Sequence, residues 1–413
     1  MATIKAFKAV RPIPEKAADV AALPYDVYNR EEAATEVRGK YDSFLRVDRP
    51  ESTLDHRINP YDPFVYEQAA KNLEKLYDRK VIAQDDRPCL YLYELVMDGR
   101  SQVGLVACTA VDEYLDNTIK KHELTREDKE QDRIKHVNVC DANTGPIFLT
   151  YRSQEAINKI IEDEMKKEPV YNFTSDDDVT HRVWVIDDQT VIEDLTDDFK
   201  KVPNFYIADG HHRSASAVKV GLMRREQHPD YTGNEEFNFF LSVLFPDEQL
   251  KIMDYNRVVK DLNGMTTEEF LKALEEKFII EEKGIEAVKP IQKGTFGMCL
   301  DGKWFLLTAK EGSYNAEDPV ESLDVAILQN NVLVPILGIK DIRTDKRIDF
   351  VGGIRGLEEL GRRVNTDMQL AFSMYPTSIE ELMSIADADL LMPPKSTWFE
   401  PKLRSGLFIH KLD

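Results

Sequence analysis

Apolar and polar positions alternate with two different periods along the chain, and together these periods predict a mixture of helices and strands. Between residues 60 and 76 the apolar residues recur at helical spacing, which predicts a helix with one buried face. Two apolar runs at 88–96 and 102–111 flank a Met-Asp-Gly-Arg sequence, which predicts an antiparallel hairpin. A short apolar run at 3–7 predicts one further strand.

The same two patterns extend through the rest of the chain. Further strands are predicted at 147–151, 182–186, 204–208, 237–245, 295–300 and 304–308. Further helices are predicted at 126–137, 157–167, 189–201, 266–278, 320–329, 354–363 and 378–388. Thr125 with Asp128, and Thr266 with Glu269, resemble capping boxes at the starts of two of these helices.

The order of these elements predicts a mixed α/β (α+β) fold with two domains. The chain has 413 residues, 42% of them hydrophobic, which is enough for a substantial core. Its character changes after residue 265, so we place a domain boundary near residue 262. We therefore expect an N-terminal α/β domain at 1–262. A C-terminal α/β domain at 263–413 would end in the sequence Pro-Pro-Lys-Ser-Thr-Trp-Phe-Glu-Pro-Lys.

Charge and cysteine content narrow the class of protein. Lysine and arginine total 54 against 75 aspartate and glutamate, a net charge of -21, so we expect no nucleic-acid partner. The four cysteines lie far apart, which indicates reduced, packed thiols rather than disulfides or a structural zinc. No apolar run approaches the roughly 18 residues of a membrane span, and the opening lacks a secretory apolar segment. We expect a cytoplasmic protein with no membrane partner.

The strongest candidate site is an Asp-Gly-His-His-Arg turn that follows a predicted buried strand and opens a predicted helix. Helix N-terminal amides and the helix dipole favour an anion there, and Gly210 permits close backbone approach. Arg213 adds donors suited to phosphate, while His211 and His212 can exchange protons near neutral pH. Alternatively, Asp209 only caps the helix and the histidines are partly exposed.

The second candidate site lies in and just before the helix predicted at 126–137. Four polar residues of this helix share one face at i, i+3, i+4 and i+7: Lys129, Asp132, Arg133 and His136. The two cations repel one another across a turn, which a bound phosphate or a nearby carboxylate would relieve. A solvated charged face explains the same spacing equally well. His122 and Glu123 precede the helix and belong to this cluster.

The third candidate site is the proline-rich sequence at 392–402. Its Lys-Ser-Thr triplet, beginning at Lys395, invites comparison with a P-loop, but the required glycines are absent and two prolines remove amide donors. We therefore reject a P-loop. The segment is either a rigid loop that closes over a ligand or a strap packed by Trp398 and Phe399.

Together these motifs resemble the uncharacterised DUF1015 family of bacteria and archaea over the full length of the chain. The matching motifs are Leu-Pro-Tyr-Asp-Val at 23–27, Phe-Leu-Arg-Val at 44–47 with Arg-Pro-Glu at 49–51, His-Glu-x-Thr at 122–125 with Lys129, Asp132 and Arg133, Ile-Ala-Asp-Gly-His-His-Arg at 207–213, Arg-Ile-Asp-Phe-Val-Gly-Gly at 347–353 and Met-Pro-Pro-Lys-Ser-Thr-Trp-Phe-Glu-Pro-Lys at 392–402. The family is often encoded beside serine-biosynthesis genes, which implies serine or phosphoserine as a substrate.

The Asp-Gly-His-His-Arg turn is also similar to the nucleotide-contacting turn of the ParB and sulfiredoxin superfamily, which includes free-serine kinases. This similarity implies a ParB/sulfiredoxin-like core with insertions, followed by a C-terminal α/β region. It reaches only residues 209–213 directly. The superfamily core is compact, whereas about 180 residues here separate the 24–26 loop from the turn.

These resemblances imply a nucleotide-dependent phosphotransferase that acts on a small hydroxy amino acid, most simply free serine, with ATP or ADP and magnesium. The expected catalytic residues are Asp209, His211, His212 and Glu123. The expected phosphate-binding residues are Gly210, Arg213, Lys129, Arg133 and His122, with Asp26, Asp132, Asn143 and Lys395 as possible additions. No set of magnesium ligands is legible. The alternatives are a ParB-type nucleotide-binding regulator without kinase activity and a phosphoserine phosphatase.

Overall fold

The computed structural model describes residues 2–413 and confirms the mixed α/β fold. Thirteen α-helices lie in this range. Their bounds are α1 Ala17–Val20, α2 Arg30–Glu36, α3 Leu45–Asp48, α4 Pro63–Asp78, α5 Val111–Leu115, α6 Glu127–Cys140, α7 Glu155–Glu164, α8 Gln189–Phe199, α9 His211–Gln227, α10 Thr267–Leu274, α11 Asp324–Leu328, α12 Gly356–Thr366 and α13 Ile379–Asp387. None of these helices is both long enough and apolar enough to cross a membrane.

Twenty strands accompany the helices in the described range. Their bounds are β1 Val10–Pro12, β2 Ile82–Gln84, β3 Leu90–Met97, β4 Arg100–Ala110, β5 Ile119–Lys120, β6 Ala142–Asn143, β7 Ile147–Tyr151, β8 Tyr171–Thr174, β9 Thr180–Ile186, β10 Phe205–Asp209, β11 Phe239–Pro246, β12 Ile252–Met253, β13 Tyr255–Val259, β14 Phe278–Gly284, β15 Thr295–Leu300, β16 Lys303–Ala309, β17 Ile348–Gly352, β18 Leu370–Ser373, β19 Trp398–Phe399 and β20 His410–Lys411.

The chain divides into two compact units. Unit 1 contains residues 1–121, 125–250 and 401–413, and unit 2 contains 122–124 and 251–400. The main chain thus passes from unit 1 to unit 2 after residue 250 and returns at residue 401. The domain boundary near residue 262 stays a prediction.

Unit 1 is built on an eight-stranded sheet in the order β5-β10-β7-β11-β4-β3-β9-β8. The predicted hairpin is its centre: β3 and β4 pair antiparallel across a turn at residues 98–99. Strand β10 lies between β5, to which it is parallel, and β7, to which it is antiparallel. Phe205 and Ile207 of β10 are fully buried in the main core, which fixes the strand that leads into the Asp-Gly-His-His-Arg turn.

Unit 2 contains a six-stranded sheet in the order β14-β16-β15-β18-β13-β17. Helix α12 buries Leu360 in the same core as Val258, Cys299 and Ala371. The segment at 392–402 packs as a strap, since β19 pairs antiparallel with β12 and Phe399 is buried. All four cysteines of the chain are buried and free of disulfides, as the sequence predicts.

Several helices begin where their sequences predict. The side chains of Asn29, Asp62, Asp188, Thr266 and Ser378 each accept a hydrogen bond from a first-turn amide. The capping box predicted from Thr266 is confirmed, because Glu269 also bonds back to the N-cap amide. These caps fix helix boundaries through contacts between residues only two or three positions apart.

The capping box predicted at Thr125 and Asp128 is wrong. Helix α6 starts one residue later than expected, with Arg126 as an N-cap that makes no side-chain capping bond. The Thr125 hydroxyl donates to Glu130 instead, at 2.6 Å, and Asp128 accepts from the Arg126 guanidinium. Tertiary structure overrides the local pattern here, since the Arg126 backbone N–H donates to the His212 ring.

Three other local predictions differ from the structure. Residues 3–7 form only isolated bridges, through Lys5 and Phe7, rather than a strand. The helix predicted at 266–278 ends at residue 274, and the chain then enters β14. Only 324–328 of the helix predicted at 320–329 is α-helical, and a π-helical turn follows at Gln329–Leu333. Each of these segments has an apolar pattern too short to fix its type.

Candidate functional site

The candidate site of unit 1 is centred on the turn between β10 and α9. The pairing of β10 with β7 shifts register between Ile207 and Asp209, so an irregularity precedes the turn directly. Gly210 is the N-cap of α9, with φ 95° and ψ 32°. A glycine contributes no capping side chain, so the alternative in which Asp209 caps this helix is not what the structure shows. The 17-residue α9 therefore begins with first-turn amides that its N-cap does not bind.

Only glycine suits position 210, for two reasons. Its positive φ lies in the left-handed region, which L side chains rarely adopt. A Cβ atom there would also lie 3.1 Å from Nε of Arg213, tighter than ordinary van der Waals contact. The backbone of the turn consequently comes close to the guanidinium of Arg213.

Asp209 is held ionised by two cations of unit 1. Its Oδ2 accepts a hydrogen bond from Nζ of Lys402 at 3.0 Å, and its Oδ1 lies 4.0 Å from Nη2 of Arg213. Burial by itself would raise the pKa of Asp209, but Lys402 and Arg213 outweigh it and hold the pKa well below its ordinary value. Asp209 thus carries a permanent negative charge at the C-terminal end of β10.

The side chain of Arg213 packs against the turn beside Gly210 and does not extend into solvent. Its Nη1 donates to the carbonyl oxygen of Pro146 at 2.5 Å, and its side chain is only 12% exposed. The guanidinium therefore links the end of β10 to the loop that enters β7. Part of its donor capacity is used in holding the turn together.

The two histidines of the turn have different surroundings. His211 is buried, and His212 is half-buried. The backbone N–H of Arg126 donates to Nε2 of His212 at 3.0 Å. Because that nitrogen accepts a hydrogen bond, the neutral His212 ring carries its proton on Nδ1.

Helix α6 brings Arg133 to the same region. Arg133 is buried, forms an ion pair with Asp132 at 2.8 Å, and stacks on the ring of Tyr25 with 4.1 Å between the guanidinium carbon and the ring centroid. Burial would lower the pKa of Arg133, but Asp132, Tyr25 and Asp48 together outweigh it and raise that pKa. The phenol of Tyr66 also donates to Asp132, at 2.8 Å. This charged face is therefore packed and paired rather than solvated.

A cavity of about 30 Å³ joins residues of the first two predicted clusters. Arg213 of the turn lines this cavity together with Arg133 and His136 of α6. Lys129 is half-buried and is not one of the lining residues. The full lining consists of Pro24, Tyr25, Asp48, Arg133, His136, Val137, Asn143, Thr144, Gly145, Ile147, Arg213, Ala217 and Ser405. His136 thus lines the cavity together with Arg213, and Lys129 does not.

The remaining predicted residues do not line this cavity. Asp26 is exposed in a turn of unit 1. His122 and Glu123 belong to unit 2, where the carbonyl oxygen of His122 accepts from the Met392 amide at 2.8 Å. Lys395, also in unit 2, is exposed and has a φ of 61°. The functional roles of all these residues stay predictions.

Three residues near the turn were not selected from the sequence. Lys402 pairs with Asp209 across 193 residues. Asp48 and Ser405 line the cavity and are buried. Asp48 directly follows the Phe-Leu-Arg-Val motif at 44–47, and Lys402 is the last residue of the motif at 392–402, so these two positions had a local signal.

The chain belongs to the family described as "Protein of unknown function (DUF1015)", whose model matches residues 4–326. Among solved structures it is similar to a conserved hypothetical protein from Pyrococcus furiosus, with 15% identity, 74% of this chain and 94% of that chain covered, and a TM-score of 0.33. It is similar to a free serine kinase in complex with AMP, with 16% identity, coverage of 74% and 91%, and a TM-score of 0.34. It is also similar to SbnI with a C-terminal truncation from Staphylococcus aureus, with 11% identity, coverage of 71% and 82%, and a TM-score of 0.37. No match is found among curated proteins.

Proposed function

We propose that this member of the DUF1015 family is a nucleotide-dependent phosphotransferase that acts on a small hydroxy amino acid, with free serine as the simplest substrate. One observation carries the proposal. A buried strand ends at an ionised aspartate, turns through a left-handed glycine and enters a long helix whose N-cap has no side chain. Such a helix N-terminus favours phosphate groups through its amides and its dipole. The choice of serine follows the similarity of this turn to that of free-serine kinases.

In this proposal the nucleotide phosphates lie at the N-terminus of α9. Phosphoryl transfer depends mainly on positioned charge, so the turn has to be held rigidly. Arg213 supplies that rigidity through its bond to Pro146, and it also contributes positive charge close to the helix amides. Arg133 adds a second guanidinium in the cavity that Arg213 lines.

Asp209 suits a magnesium ligand better than a general base. A proton acceptor works best with a pKa near the working pH, and the pKa of Asp209 is held well below its ordinary value. Mg²⁺ binds carboxylate oxygens together with substrate phosphates, so Asp209 and the nucleotide would hold the ion between them. The bound ion would offset the negative charge of the phosphates. Glu123 is then the remaining candidate for the base.

The test is to incubate the purified full chain with serine and either ATP or ADP, and to look for phosphoserine by mass spectrometry. Arg213→Ala should reduce the rate, whereas Arg225→Ala is a matched control. Arg225 lies in the last turn of the same helix and pairs with Asp112 at 2.6 Å. Absence of phosphoserine with either nucleotide would refute the proposal.

The same experiment separates the alternatives. Nucleotide binding without any phosphoserine would indicate a ParB-type regulatory protein. Release of phosphate from phosphoserine without nucleotide would indicate a phosphatase, because a hydrolase needs no second phosphate carrier. Formation of phosphoserine from only one of the two nucleotides would identify the phosphate donor.

A further inference from the structure

The cavity beside Arg213 has one unusual member, the carboxylate of Asp48. Asp48 is 3% exposed, and its Oδ1 accepts a hydrogen bond from the hydroxyl of Thr144 at 2.9 Å. Among residues 2–413, no cationic side chain lies within ion-pairing distance of this carboxylate. Buried carboxylates in proteins are normally paired with a cation. The guanidinium of Arg133 donates to the backbone carbonyl oxygen of Asp48 at 3.5 Å, but the Asp48 carboxylate itself forms no ion pair, so it suits a further positively charged group.

His136 offers a second acceptor on the same wall. Its Nε2 lies 2.9 Å from the carbonyl oxygen of Val47, which can only accept, so Nε2 carries the proton. Burial lowers the pKa of His136, and so does the nearby charge of Arg133, which keeps the ring neutral. Its Nδ1 is consequently an acceptor. Asp48, which follows Val47 in sequence, and His136, which bonds to Val47, thus each present an acceptor beside the guanidinium of Arg133.

A second set of lining residues, which we call the donor wall, presents donors. The Oδ1 atom of Asn143 accepts from the Leu241 amide at 3.2 Å and lies 3.1 Å from Nδ1 of His410. The Leu241 contact fixes the orientation of the amide, because a backbone N–H can only donate, so that the Nδ2 donor of Asn143 is left for another partner. In the described part of the chain that donor has no hydrogen bond within the protein. The guanidinium of Arg213 and the hydroxyl of Ser405 line the same wall.

From these two walls we propose that the cavity binds the head group of a free α-amino acid. The ammonium would lie against Asp48 and His136, and the carboxylate against Asn143, Arg213 and Ser405. The volume of about 30 Å³ holds roughly two or three water-sized groups. An amino-acid head group has five non-hydrogen atoms, three of them polar, so part of the bound amino acid would lie outside this volume. An inorganic anion would satisfy the donors but would face the carboxylate of Asp48.

This inference rests on the proposed function for one point only, the identification of the amino acid with the phosphorylated substrate. The binding chemistry itself comes from the cavity. Thr144 connects the two walls, since it bonds to Asp48 and directly follows Asn143 in sequence. An α-amino acid bound here would be held at both ends by one short loop.

The experiment is calorimetric titration of the full chain with glycine, L-serine, methylamine, acetate and inorganic phosphate. Glycine and serine should bind, and methylamine and acetate, which each carry half of the head group, should bind at least about 100-fold more weakly. Asp48→Asn should weaken glycine binding about tenfold or more, because it removes the charge while keeping the acceptor for Thr144. Asp86→Asn, which changes an exposed aspartate of the same unit, is the control.

A second variant keeps the test decisive if Asp48→Asn fails to fold. Ser405→Ala removes one hydroxyl from the donor wall and should also weaken glycine binding. The inference is overturned by any of three results: no heat from glycine or serine up to about 10 mM, glycine binding unchanged in every folded variant, or methylamine or acetate that binds as tightly as glycine.

Failure of the cavity inference is distinguishable from failure of the proposed function. If the wild type makes phosphoserine and Asp48→Asn keeps the same KM for serine, the cavity inference fails while the function stands. If glycine binds as described and no phosphoserine is ever formed, the function fails while the cavity inference stands.

Discussion

Replacement of Asp209 by asparagine removes one negative charge from between two cations while it preserves the size and shape of the side chain. Lys402 and Arg213 are only 14% and 12% exposed, and Asp209 itself is 29% exposed. In the variant these two cations keep their positions but lose their shared counter-charge. An amide oxygen can still accept from Lys402, so the change isolates the charge from the hydrogen bond.

The expected loss of stability follows from those contacts. A hydrogen bond to a charged group contributes about 1.5 to 3 kcal/mol, and removal of one partner of a fully buried pair costs about 3 to 5 kcal/mol. Because Asp209 is partly exposed, we expect Asp209→Asn to lower the free energy of unfolding by about 1.5 to 3 kcal/mol. The pH dependence of this contribution follows from the lowered pKa of Asp209. The stabilisation is fully present above the pKa of the unfolded chain, about 4, and is lost as the pH falls below that value.

Hydrogen exchange followed by mass spectrometry measures this loss in unit 1 alone. Peptides that cover β10 and α9 report the opening free energy of the site, whereas a global melt would mix the two units. A double-mutant cycle with Lys402→Met should give a coupling energy of about 1 to 2 kcal/mol. Turnover should fall about 100-fold if Asp209 holds magnesium.

Two results would refute this reasoning. A coupling energy near zero would mean that Lys402 does not stabilise the aspartate in solution. Full turnover in a destabilised Asp209→Asn variant would assign Asp209 to the structure of the turn and leave Glu123 as the acid-base candidate.

Three further predictions follow from the same contacts. Arg213→Ala should weaken ADP binding by about 1.5 to 3 kcal/mol in calorimetry, and unchanged affinity would remove the anion site. Gly210→Ala should destabilise unit 1 by about 1 to 2 kcal/mol in hydrogen exchange, because its Cβ would lie 3.1 Å from Arg213 at a positive φ. In unit 2, burial raises the pKa of Asp324 to about 7, so the native state retains a proton that the unfolded chain releases near pH 4. The free energy of unfolding should therefore fall as the pH rises from about 4 to 7. Asp324→Asn should remove that fall and should be about 2 to 4 kcal/mol more stable than the wild type at pH 8 in urea denaturation. The control is Glu286→Gln, which changes an exposed residue.

The sequence predicted those parts of the site that depend on neighbouring residues. The strand, the glycine turn and the helix at 205–227 follow one another directly, so their apolar pattern and turn chemistry were readable. The shared face of Asp132 and Arg133 followed from helical spacing in the same way. The packing of Arg133 on Tyr25 was not predicted, because the two residues are distant in sequence.

Contacts between distant segments account for the parts that the sequence did not predict. The partner of Asp209 is Lys402, and no spacing rule relates the two positions. The capping box predicted for α6 was wrong for the same reason, because the backbone N–H of Arg126 donates to the ring of the distant His212. Local patterns describe what a segment prefers by itself, whereas burial and pairing are decided by whichever segments the fold brings together.

The path of the main chain through unit 1 has a consequence for the order in which the protein is made. Residues 401–413 complete unit 1, but the ribosome produces them only after the whole of 251–400. All eight strands of the main sheet of unit 1 are made before unit 2, but strand β6 lacks its partner β20 until the last of these residues is added. During that interval Asp209 has been synthesised without the ammonium that offsets its charge. Unit 1 should therefore be the slower-folding half and the one more dependent on chaperones, as its contacts of high sequence separation require.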